Sequence, residues 1–306
     1  MNVNDKVLVT GATGMSGSSI VTALDKAGFN NLLTPTRAEL DYTRKFCVQE
    51  YFDEHKPDVV FHCAGYISSH ISHLRVSQSD LLIEDTYVNF NVVKAATSVG
   101  VRKLVAVGSC WGYDAGSNIS ETSWQPGSGV HLGVGHDTAK LAVITALHLL
   151  RKETGFDSTV LMIPPLYNSN VSDNTSDRHV VANIANAIYN AAKNKHSAVT
   201  LNGCATNQRQ LVHTDDFSSA ALLALDNDAP LLNVAYPETI TMLELATSIC
   251  EHYNYSGELS WSNDRPLGNG AATNPGPQDL DVSLANSFGW KPAISMHEGV
   301  QSFNVL

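Results

Sequence analysis

The chain has few cysteines, and none of them stand in Cys-x-x-Cys spacing: Cys47, Cys63, Cys110, Cys204 and Cys250 are scattered along 306 residues. An odd, dispersed set gives neither a zinc knuckle nor a disulfide framework and reads as reduced thiols. Basic residues are also scarce. Lys and Arg number 19 against 30 Asp and Glu, for a net charge of −11 with no basic block. That balance argues against nucleic acid or an anionic membrane as the main partner, while a local basic pocket for an anionic ligand stays open. Apolar runs stop short of transmembrane length, and Met1-Asn2-Val3-Asn4-Asp5 does not read as a signal peptide. A cytoplasmic location is the expectation. His62, His70 and His73 tempt a metal reading, but carboxylate or cysteine spacing does not support them, so no metal is expected.

What is present is a large apolar fraction, 43%, and a pattern at the start of the chain. The apolar run Lys6–Thr10 enters Gly11-x-x-Gly14-x-x-Gly17, and a helical run, Ser18–Ala27, follows. A strand, a glycine turn and a helix start make a phosphate cradle. Gly11 permits the tight turn, Gly14 lets backbone approach a pyrophosphate, and Gly17 lets the helix pack close to the strand. Further strands are predicted at Leu32–Thr36, Asp58–Ala64, Lys103–Ser109 and Ser158–Pro164, alternating with helices at Arg44–His55, Ser79–Val99 and Thr138–Thr154. Continuous apolar strands separated by amphipathic helices predict an α/β fold with a doubly wound parallel sheet. The rhythm breaks after Pro164. Tyr167–Asp177 reads as a loop, followed by a helix at His179–Lys193, short strands at Val199–Leu201 and Leu232–Ala235, and a helix at Thr241–Tyr253. The expected division is a dinucleotide-binding domain over residues 1–165 and a smaller α/β C-terminal lobe over 166–306, with some chain exchange between them.

Ligands of such sheets sit at the carboxyl ends of the strands. Candidate cofactor contacts are therefore Gly11, Thr13, Gly14, Met15 and Gly17 of the first turn, Ala64 and Gly65 after the third strand, and Pro164 and Leu166 after the fifth. An acid at the end of the second strand would signal a free ribose 2′-hydroxyl. Here the strand ends Thr34-Pro35-Thr36-Arg37, and Arg37 suits a 2′-phosphate, so NADP(H) is favoured over NAD(H) unless Arg37 is a solvated loop residue. Asp41 either reaches the adenine edge or caps the following helix.

The fourth strand ends Gly108-Ser109-Cys110-Trp111-Gly112-Tyr113, and His136-Asp137-Thr138-Ala139-Lys140 opens a helix downstream. Here the chain resembles the extended short-chain dehydrogenase/reductase family, which carries a Ser at this strand end and Tyr-x-x-x-Lys at this helix. The resemblance implies a Rossmann-type fold with a substrate lobe. It also implies Ser109 as the group that polarises a carbonyl and Lys140 as the residue that holds the ribose. The tyrosine slot holds His136. A histidine is a workable proton carrier, with an unperturbed pKa of ~6.5 against ~10 for tyrosine. Cationic Lys140 disfavours an imidazolium, so a reductase relying on His136 is expected to gain activity as pH falls. The alternative is a His136 that only packs in a site without chemistry.

Within that family the chain is most similar to the GDP-L-fucose synthase branch. The segments that carry the likeness are Arg37-Ala38-Glu39-Leu40-Asp41, Asn91–Ala96 with Val101–Leu104, Leu166-Tyr167, Arg178–Val181, Arg209–Asp216 and Phe288–Pro292. The likeness implies a nucleotide-sugar substrate, most simply a GDP-sugar, 4-keto reduction with or without 3,5-epimerisation, and a homodimer built on a four-helix bundle. His179 corresponds to the branch's epimerising histidine. The branch's epimerising cysteine lies two residues after the catalytic Ser, a slot held here by Trp111, with Cys110 one residue away. Trp111, His179 and Arg209 are the substrate-binding candidates, and Arg209 is suited to gripping a diphosphate. Asp215 and Asp216 read as helix cap and structural anchor, and His213 as a packed residue. The branch's Asn before Leu-Tyr is Pro165, and its basic pair near the C-terminus is Pro277-Gln278. A catalytically impaired nucleotide-sugar-binding homologue, or another nucleotide-sugar epimerase using His136 as a base, remain as alternatives.

Overall fold

The structure is a computed structural model and describes residues 2–65, 77–114, 116–126, 135–171, 180–263 and 278–305. Six parallel strands form the central sheet: β1 (Val7–Thr10), β2 (Leu32–Leu33), β3 (Val59–His62), β4 (Lys103–Val107), β5 (Ser158–Met162) and β6 (Leu231–Asn233). Their order across the sheet is β2-β1-β3-β4-β5-β6. The chain runs outward from β1 to β2, then reverses to β3 on the other side of β1. That reversal opens a crevice between the carboxyl ends of β1 and β3, the point where such sheets take ligands. Residues of β1, β3 and β5 are buried throughout, which is why these strands read as unbroken apolar runs.

Helices α1 (Met15–Lys26), α2 (Lys45–His55), α3 (Gln78–Val99) and α4 (Gly135–Thr154) connect the first five strands. α3 packs against both α2 and α4, while α1 packs against a later helix, Thr214–Leu223, so both faces of the sheet are covered. This is a Rossmann-type, doubly wound fold. A second apolar cluster lies in the C-terminal half, where Val181, Ile184 and Ile188 of the helix Val180–Lys193 meet Leu245 and Ile249 of the helix Met242–His252. Residues beyond 165 also return to the first layer, because β6, Phe217 and Trp290 belong to the main core.

Several expected boundaries shift for local reasons. The second strand ends at Leu33 because Pro35 has no N–H to give a ladder, and Thr36 N and Oγ1 both donate to Glu39 Oε2 at 2.8 Å. The third ends at His62 because the N–H groups of Cys63 and Ala64 turn to Thr10 Oγ1, at 3.1 and 3.0 Å. Helices α1 and α4 start three residues earlier than periodicity suggests, at Met15 and Gly135. The expected loop Tyr167–Asp177 overlaps two short strands, Leu166–Tyr167 and Asn170–Val171, and the first pairs with Val212–His213.

Candidate active site

The glycine turn has the form that a dinucleotide requires. Gly11 takes φ +66°, and a Cβ there would lie 2.9 Å from the backbone N and Cα of Ala64. A Cβ on Gly17 would strike the Gly11 carbonyl and come within 2.8 Å of Ala12 Cα, so α1 sits directly on the turn. Gly14 caps α1 and has no side chain to occupy the first-turn N–H groups, and that turn carries no acid. Those N–H groups and the helix dipole face the crevice between β1 and β3, and the residues present fit a pyrophosphate. Thr13 is exposed and Met15 half-buried on the same turn.

Thr10, at the end of β1, anchors the crevice floor. Its hydroxyl accepts from two backbone N–H groups and so gives its own proton to His62 Nδ1, 2.9 Å away. His62 must then carry its proton on Nε2, which meets Asn89 Oδ1 at 2.9 Å. Burial pulls His62 down to about 4, so it stays neutral and structural. Of the three histidines weighed as a metal cluster, His70 and His73 lie outside the described residues.

The residue in the tyrosine slot, His136, stands on the first turn of α4. His136 Nδ1 is 2.5 Å from Asp85 Oδ2, and the Asp85 side chain is 1% exposed. Gly65 lies against this pair: a Cβ there would come 3.4 Å from Asp85 Oδ1 and 3.8 Å from His136 Cε1. One helical turn on, Lys140 Nζ donates to Val107 O at 2.7 Å, which fixes it at the carboxyl end of β4. Burial holds the Lys140 ammonium below the usual lysine range, against the opposing pull of Asp85, Cys63 and Asp137. Asp85 was not a sequence candidate. Its signal is an acid on the buried stripe of α3, in line with Leu81, Val88 and Val92.

After β4 the chain turns through a short 3-10 helix, Cys110–Gly112, capped by Ser109. Ser109 Oγ accepts from Trp111 N at 3.3 Å and keeps its proton to donate. Cys110 is 2% exposed, and burial pushes its thiol up to about 12. Cys110, one residue from the slot of the epimerising cysteine, is thus a core thiol that burial keeps protonated. Trp111 is half-buried, and the Arg209 guanidinium lies 5.7 Å from its ring centre, so Arg209 joins this turn from the strand Gln208–Arg209. Burial holds Arg209 below its usual range without approaching neutrality. Tyr113 does not enter the site. It is buried and donates to Asn233 Oδ1 at 2.8 Å.

The remaining candidates are dispersed. Arg37 is exposed beyond β2. Asp41 does not cap α2, whose N-cap is Arg44; its Oδ1 instead accepts from Thr43 N at 3.0 Å and Thr43 Oγ1 at 2.8 Å in the preceding turn. Pro164 and Leu166 are buried beyond the end of β5. His179 lies outside the described residues. Asp216 is the anchor foreseen, accepting from Ala293 N and Ile294 N at 2.8 and 3.0 Å. The cap of the helix Thr214–Leu223 is His213, not an aspartate: its Nδ1 accepts from Asp215 N.

Comparison with known proteins converges on one group. The family model described as "NAD dependent epimerase/dehydratase family" matches residues 7–235. A probable GDP-L-fucose synthase 1 of Oryza sativa subsp. japonica is 30% identical over 96% of this chain and 89% of its own length. GDP-L-fucose synthase 1 of Arabidopsis thaliana is 29% identical over 96% of this chain and 90% of its own. Among solved structures, a GDP-D-glycero-L-gluco-heptose synthase from Campylobacter jejuni, crystallised in the presence of NADPH, superposes with a TM-score of 0.86 at 21% identity, covering 99% of this chain and 98% of that one.

Proposed function

From the premise that the chain belongs to the NAD dependent epimerase/dehydratase family, and so is an enzyme with a nicotinamide cofactor, we propose that it is an NADP(H)-dependent reductase of a GDP-4-keto-6-deoxyhexose. The glycine turn, α1 and Lys140 would hold the dinucleotide, and Arg37 would meet a 2′-phosphate. The bound nicotinamide supplies hydride to the sugar carbonyl carbon. Ser109 donates a hydrogen bond to the carbonyl oxygen as charge develops there, and His136 gives that oxygen its proton through Nε2. Arg209, backed by Trp111, would take the diphosphate. The GDP-sugar class is supported by the relatives' names. The observation that carries the reading is the convergence of His136, Lys140 and Gly65 at the carboxyl ends of β3 and β4, beside the glycine turn.

Reduction without 3,5-epimerisation is the form favoured, because Cys110 is a buried, weakly acidic thiol and Trp111 carries no exchangeable group of suitable acidity. A homodimer is the proposed assembly. Ile83, Tyr87 and Phe90 project along one face of α3 and Leu149 is exposed on α4, an apolar surface suited to a second copy of the same helices. The test is NADPH consumption with GDP-4-keto-6-deoxy-mannose in deuterated water. Turnover without deuterium at C3 or C5 is the expected result. Tight NADPH binding with no turnover on any 4-keto sugar nucleotide would replace the proposal with a binding role.

A further inference from the structure

Asp85 occupies an expensive position. A carboxylate at 1% exposure is tolerated only when paired, and its partner here is His136 Nδ1 at 2.5 Å. The titratable groups around Asp85 and Lys140 come from three elements. Asp85 belongs to α3, Asp137 and Lys140 to α4, and His62 and Cys63 to the end of β3. His62 remains neutral at about 4 and the Cys63 thiol remains protonated at about 12, both through burial.

We propose that Asp85 is the positioning residue for proton transfer: it holds His136 as the Nδ1–H tautomer and leaves Nε2 as the exchanging atom. This rests on the reading of His136 as the acid. In the step, the Nε2–H bond breaks as the O–H bond of the product alcohol forms, and the neutral imidazole is reprotonated by water. The Nδ1 proton stays on the ring throughout. The two histidines of the crevice therefore hold opposite tautomers, Nε2–H in His62 and Nδ1–H in His136.

The test is 15N NMR of the full chain labelled with 15N-histidine, without substrate, comparing wild type with Asp85→Asn and using His136→Gln to assign the resonance. Asn removes the charge and replaces one acceptor oxygen with an NH2 donor. The expected result is an Nδ1–H tautomer in wild type and a smaller Nδ1–H share in Asp85→Asn. An Nε2–H tautomer in wild type, or equal shares in the two proteins, would overturn the proposal. If Asp85→Asn fails to fold, the wild-type tautomer alone decides. Where wild type turns over, kcat falls with the same substitution while the KM for NADPH holds, a split that a purely structural carboxylate would not produce. An Nδ1–H His136 held by Asp85 in a protein that reduces no sugar nucleotide would sink the functional reading and leave only the tautomer assignment standing. Turnover with an Nε2–H His136 would keep the functional reading and sink this one.

Discussion

The three glycines of the first turn are expected to fail in different ways when each becomes alanine, and the differences follow from their surroundings. A Cβ on Gly17 would meet the Gly11 carbonyl carbon at 2.7 Å and Ala12 Cα at 2.8 Å. Both are backbone atoms that cannot rotate away, so Gly17→Ala must push α1 off β1, an overpacking cost of about 1–3 kcal/mol. Gly11→Ala adds a left-handed φ of +66° to a 2.9 Å approach to Ala64. The left-handed conformation alone costs roughly 1–2 kcal/mol. Gly14 differs: its φ is −81°, and its nearest neighbour would be Gly11 O at 3.3 Å. Gly14→Ala is therefore the mildest of the three for folding, losing mainly the N-cap preference for glycine over alanine, yet it puts a methyl where a pyrophosphate would approach the helix start. For 306 residues the unfolding entropy is on the order of 0.64 kcal/mol per kelvin, so about 3 kcal/mol lowers Tm by ~5 °C. Thermal unfolding without ligand and NADPH affinity by fluorescence separate the cases. Gly11→Ala and Gly17→Ala lose Tm, while Gly14→Ala keeps most of it and loses affinity by ~10-fold or more, about 1.4 kcal/mol. A Gly14→Ala protein that binds NADPH like wild type, or a Gly17→Ala protein of unchanged Tm, would refute the reasoning.

Three further outcomes follow from the same geometry. His62 has a folded value of about 4, below its unfolded one, so the unfolded chain takes up the proton first and stability falls as pH drops. Between about pH 6.5 and pH 4 the loss approaches ~3 kcal/mol, and His62→Asn should flatten it in urea unfolding at the two ends of that window. Tyr113→Phe orphans Asn233 Oδ1 in the core and should lower stability by ~1–3 kcal/mol with kcat nearly unchanged, which separates this tyrosine from the chemistry. Arg209→Ala should raise the KM for the sugar nucleotide by ~10-fold or more and leave NADPH affinity alone, as steady-state kinetics and direct titration would reveal.

How far the sequence reaches depends on whether a role is local. Gly11, Gly14 and Gly17 act on one another across six residues, and their spacing alone described the turn that forms. Lys140 was legible because its helical step from His136 is local too. His136 was half legible: the missing tyrosine could be read, but the Asp85 that pairs with it lies 51 residues earlier and arrives only when α3 packs on α4. Sequence reasoning therefore weighed Lys140 without its counterweight. Tyr113 shows the same limit, since its partner Asn233 stands 120 residues away and decides that the ring faces the core. Leu166–Tyr167 looked like the start of a loop because its partner strand, Val212–His213, is remote in the chain. The second strand was over-extended because Pro35 and the Thr36–Glu39 bonds compete with the ladder.

The central claim is that His136, held by Asp85, supplies the proton in reduction. The most direct measurement is the single-turnover rate of NADPH oxidation with GDP-4-keto-6-deoxy-mannose over about pH 5.5 to 8, wild type beside His136→Gln. A rate slower by ~100-fold or more in His136→Gln across that range is the expected result. Equal rates in the two proteins would contradict the role of His136.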